Sequence, residues 1–89
     1  MANRRKLKKI VNMVTGDLLM ECMAVKQANS HIDNADVENI AGSILLMQED
    51  FLARISHVDK RQVRRFFRQL EEDFSTSTNE IIDNIFHLS

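Results

Sequence analysis

A chain of 89 residues that is 44% hydrophobic and 28% charged is long enough to bury one core and too apolar to be a disordered tail. Its net charge of −1 excludes a uniformly basic nucleic-acid binder, so any electrostatic role must come from where the charges stand. The lone cysteine, Cys22, excludes an internal disulfide and zinc-ligand spacing, and fits a reducing, cytoplasmic setting.

The opening stretch MANRRKLKKIVNMVTGDLLM has the basic flank of a secretory signal, but Asn12, Thr15, Gly16 and Asp17 interrupt the apolar run such a signal needs. It reads instead as the start of a first helix, predicted over residues 3 to 28, with Leu7, Val11, Val14, Leu18, Cys22 and Val25 at helical spacing. The middle of this helix is more apolar than a three-helix bundle consumes. Leu19, Met20 and Met23, with Met13 further back, are the expected self-association surface, methionine being an adaptable contact residue. The competing reading is a wide core stripe that wraps toward the third helix. Gly16 offers a close helix approach on this helix, and Gly42 with Ala41 offers one on the next.

The first break is ANSHIDNAD, where Asp33, three residues before Asp36, is the expected helix N-cap. A second helix is predicted over 34 to 57, carried by Val37, Ile40, Ile44, Met47, Phe51 and Ile55. The second break is HVDKRQV, with Asp59 and Gln62 as a variant capping box. A third helix follows, predicted over 60 to 87, carried by Val63, Phe67, Leu70, Phe74, Ile81, Ile85 and Leu88. Four hydroxyl residues, Ser75 to Thr78, weaken it, and Ser77 with Glu80 could restart it. The apolar positions stay in phase across that gap, which favours one continuous helix.

Two short connections between three long helices predict a single-domain, all-α, up-down-up antiparallel bundle. No run approaches the roughly 18 uncharged apolar residues of a membrane span, so a soluble protein is expected. On this topology the start of the first helix, the end of the second and the start of the third share one end. Equal rise sets Leu7 level with Ser56 and Arg61. That end would gather Arg4, Arg5, Lys6, Lys8, Lys9, Arg54, Lys60, Arg61, Arg64, Arg65 and Arg68, while Asp33, Asp36, Glu38, Glu80 and Asp83 mark the other.

Cations at two helix starts run against the helix dipole. Only Arg68 with Glu72, and Asp50 with Arg54, have a partner at i+4 spacing. Arg4, Arg5, Lys8, Lys9, Lys60, Arg61, Arg64, Arg65 and Arg68 are therefore the expected site for an anionic partner, against the plainer reading of a solvated face. An acidic protein surface, including the acidic end of another copy, suits such a patch. Nucleic-acid backbone is the alternative, although the chain has no Tyr or Trp to stack on bases.

Residues with chemistry are few. His31 and His87 could approach Asp33 and Asp83 at the acidic end, but read more simply as exposed polar residues. Asp17 and Glu21, one turn apart, suit acid-base work only if one is buried, and read more simply as a solvent stripe. Cys22 falls on the core stripe. No nucleophile, base and oxyanion donor assemble, so no catalytic, cofactor or metal site is assigned.

The segments NRRKLKKIVN, GDLLMECMA and SILLMQEDFLARISHVD resemble a group of short, all-helical bacterial proteins of uncharacterised function. The resemblance implies a cytoplasmic bacterial helical protein and assigns no activity, ligand or residue. The expectation is a non-enzymatic interaction or regulatory module, a homodimer through the first helix, that docks an anionic partner at its basic end.

Overall fold

The computed structural model describes residues 4–58 and 61–88. They form three helices: α1 (Arg4–Ala28), α2 (Asn34–Ser56) and α3 (Val63–Leu88). These pack around one core as a bundle measuring 51 × 18 × 18 Å, the all-α architecture that the helical periodicity predicts.

The α1–α2 turn is fastened by local hydrogen bonds. The Asn29 N–H and Nδ2 both donate to the Val25 carbonyl at 3.1 Å, closing α1. Lys26 Nζ donates to the Ile32 carbonyl, and Ile32 itself is buried beneath the turn. Asp33 then caps α2, its Oδ1 accepting from the Ala35 N–H at 3.0 Å, which satisfies one of the orphan donors of the first turn.

Val11, Leu18 and Cys22 from α1, Ile44, Met47, Phe51 and Ile55 from α2, and Leu70, Ile81 and Ile85 from α3 form the core. Each set is spaced by three or four residues or by whole sums of these, as a helix with one inward stripe requires. Phe51 meets Phe74 edge to face at a centroid distance of 5.1 Å. Packing is most extensive between α1 and α2 and least between α1 and α3.

α3 is continuous through Ser75 to Thr78. Burial on both sides of the hydroxyl run, at Leu70 and at Ile81, holds together a stretch that propensity alone would leave weak.

The register differs from the equal-rise expectation. Asn12 Oδ1 accepts from Gln48 Nε2 at 2.8 Å, and the Cys22 thiol reaches the Val37 carbonyl at 3.9 Å. Phe51 lies beside Phe74 and Arg54 beside Asp73. Carried along the axes, these contacts set Arg4, Ser56 and Gln69 level with one another, not Leu7, Ser56 and Arg61. The chain leaves α2 at Ser56 and re-enters helix at Val63, three residues later than predicted. Asp59 and Lys60, with the expected capping box, lie outside the described residues. Val63 to Arg68 therefore lie up to about 9 Å beyond the level of Arg4 and Ser56, at 1.5 Å per residue, with Phe66 still packed against the core and Phe67 buried.

Candidate interaction surfaces

Two surfaces stand out from the ordinary charged exterior. The first is the face of α1 turned away from the core. Met13, Met20 and Met23 are 59%, 71% and 61% exposed, with Ile10 beside them at 45%. Leu19, grouped with them by sequence, is half-buried and packs against the core. The extra apolar residues of α1 thus divide: Leu19 packs against the intramolecular core and the three methionines stay mostly exposed among the described residues. Lys6, Lys9, Met13, Gly16, Met20, Met23 and Gln27 follow an alternating three- and four-residue spacing along this face. That is the spacing of a coiled-coil seam, a signal present in the sequence and hidden by the stronger core stripe.

Gly16 sits at the middle of the seam. A Cβ built there would meet nothing within 4 Å, and neither glycine has positive φ. The same is true of Gly42 on α2. The close helix approaches expected at both glycines do not occur within the chain. In a helix interior glycine costs about 0.5–1 kcal/mol relative to alanine, and no contact among the described residues explains it.

The second surface is the basic end. Arg4, Arg5, Lys6 and Lys9 of α1 are exposed and Lys8 is half-buried, while Arg61, Arg64, Arg65 and Arg68 around the start of α3 are exposed. Lys60 lies outside the described residues. The register separates these cations into two groups. Lys6 to Lys8 lie level with Glu71 to Asp73, which supply nearby negative charge. Arg61 to Arg68 form the second group, a segment without an acidic residue, where the helix dipole adds positive potential. Arg68 makes no ion pair with Glu72 among the described residues.

Arg54 is accounted for otherwise. It bridges Asp50 at 3.3 Å and Asp73 at 3.0 Å, and its guanidinium lies 4.9 Å from the centre of the Phe51 ring. It is a clasp between α2 and α3.

The residues with chemistry are dispersed. His87 Nδ1 donates to the Asp83 carbonyl within α3 at 2.6 Å, and His31 is exposed in the turn. Among the described residues no three His, Cys, Asp or Glu side chains converge as metal ligands would. Asp17 and Glu21 are both exposed. Cys22 is buried, and burial pushes its thiol pKa up from the ordinary value, which makes it a poor nucleophile.

One apolar feature escaped the sequence reading. A groove of about 330 Å³ lies between α1 and α3, lined by Leu18, Glu21, Val25, Ile82, Ile85 and Phe86. Phe86 is 72% exposed. Its signal was the Ile82–Phe86 pair one turn apart, alongside the main Ile81–Ile85 row.

Among the described residues no helix is long and apolar enough to cross a membrane. No family model, curated protein or solved structure matches the chain. The resemblance to short bacterial helical proteins therefore reaches the all-helical fold and no further.

Proposed function

We propose that this chain is a non-enzymatic interaction module that associates with itself through the outward face of α1 and docks an anionic partner with its basic end. The observation that carries the reading is the exposure of Met13, Met20 and Met23 in one row on a helix whose opposite face is already committed to the core. Flexible thioethers presented in a row suit a packed interface, and a small bundle gains stability by covering such a row. The buried Cys22 and the exposed Asp17 and Glu21 agree with a role that needs no chemistry of its own. A cytoplasmic, bacterial setting belongs to the same proposal.

Sedimentation velocity over a concentration series tests it. The expected result is a dimer for the natural chain and a folded monomer, by circular dichroism, for Met20→Glu. A chain that stays monomeric at high micromolar concentration would rule out self-association.

The exposed cations of the Arg61 to Arg68 segment support the second element of the proposal. An acidic protein surface is the favoured partner, since α3 presents cations there without an aromatic platform for bases: Phe67 is buried and Phe66 half-buried. Phosphate backbone is the alternative, and its salt dependence separates the two.

A further inference from the structure

Resting on the self-association proposed above, we infer that the occupant of the α1 face is a second copy of this chain, packed antiparallel about a two-fold axis level with Leu18. In this register Met20 of each copy lies over Gly16 of the other, and Met13 of each lies opposite Met23 of the other. The same patch serves both copies, as a two-fold interface requires. The three- and four-residue spacing of the seam lets every side chain enter the space between residues of the facing helix. Gly16 then has a reason that its own chain does not supply. It is the hole for a methionine, and the open space around its missing Cβ is where that side chain lodges.

Charge selects the direction. A parallel pair would set Arg4, Arg5, Lys6, Lys8 and Lys9 of one copy beside the same residues of the other, with two positive helix starts together. The antiparallel pair sets Lys9 opposite Gln27 of the second copy, level with that copy's Asp33 in the register fixed by the Asn12–Gln48 and Cys22–Val37 contacts. Each basic α1 start thereby lies at the axial level of an acidic turn instead of beside a second basic start. Asp17 flanks the axis and faces its own symmetry mate, a like-charge contact that Asp17→Asn would relieve.

Single-cysteine pairs read the register directly. Met13→Cys and Met23→Cys are made separately in the full chain, each keeping the buried Cys22, and treated with a short thiol-to-thiol crosslinker alone and as a mixture. The mixture is expected to give covalent dimer and each variant alone to give none, because like positions stand about 15 Å apart along the axis. Crosslinking of either variant with itself means a parallel pair and overturns this inference while leaving self-association intact. A natural chain that is monomeric removes both. Gly16→Leu, checked for helicity, is expected to weaken the dimer by about ten-fold or more, and Gly42→Ala, off the seam, to leave it unchanged. A dimer indifferent to Gly16→Leu places the interface elsewhere and overturns the inference.

Discussion

Two threonines show how much a single hydroxyl depends on where it points. Thr15 is 1% exposed, and its Oγ1 donates to the Val11 carbonyl at 2.8 Å, so its burial is compensated within its own helix. Thr78 has a buried Oγ1 with no hydrogen-bond partner among the described residues. An unmet buried hydroxyl costs about 1–3 kcal/mol, and valine has the same shape. Thr78→Val is expected to raise stability by about 1 kcal/mol, measured as the midpoint of urea unfolding. The same exchange at Thr15 loses a made bond while gaining apolar burial, and is expected to be close to neutral. An unchanged or lower midpoint for Thr78→Val would show that its hydroxyl is satisfied by water.

At the scale of the helices, α1 and α2 form the tighter pair, and α3 is attached along α2 by Phe51 on Phe74 and by the Arg54 clasp. The clasp is partly exposed, with side chains 41% and 39% accessible for Arg54 and Asp73, so its ion pair is screened and of modest worth. Asp73→Asn is expected to cost about 0.5–1 kcal/mol. Arg54→Lys is expected to cost a similar amount, since lysine cannot bridge two carboxylates in a planar fork while stacking on a ring. Urea unfolding of the two single variants and the double variant checks this. Additive losses would show that the two side chains act independently.

For the whole molecule, the consequence of the register is a rod whose basic Arg61 to Arg68 segment lies at one end, beyond the level of Arg4 and Ser56, with Phe66 and Phe67 holding it to the bundle. In an antiparallel pair the two basic segments lie at opposite ends, outside the methionine seam, so both surfaces can be used at once. Replacing Arg64, Arg65 and Arg68 by Glu should leave the dimer intact and abolish binding to an anionic partner. Titration against mixed-sequence RNA and duplex DNA over a salt series distinguishes the sources. Affinity falling linearly in log salt and lost in the variant would make the segment a phosphate reader. No binding at low salt retires nucleic acid and leaves an acidic protein surface.

The three helices, their inward stripes and the Asp33 cap were legible in the residue order. Helical periodicity and capping are local properties, written within a few positions of one another. The continuity of α3 was legible for a related reason, since Phe74 and Ile81 hold phase across the hydroxyl run. The axial register was not, because it depends on how far the chain travels between Ser56 and Val63 and on which side chains from distant segments meet. Only tertiary contacts such as Asn12 with Gln48 and Arg54 with Asp73 decide that. The same holds for Leu19 against Met20. Adjacent apolar residues look alike in sequence, and only the placement of α2 and α3 determined that one is covered and the other faces outward. The spacing of apolar residues along the sequence determined that this chain would form helices with a core, and packing decided which of its surplus apolar and basic residues were left for something else to meet.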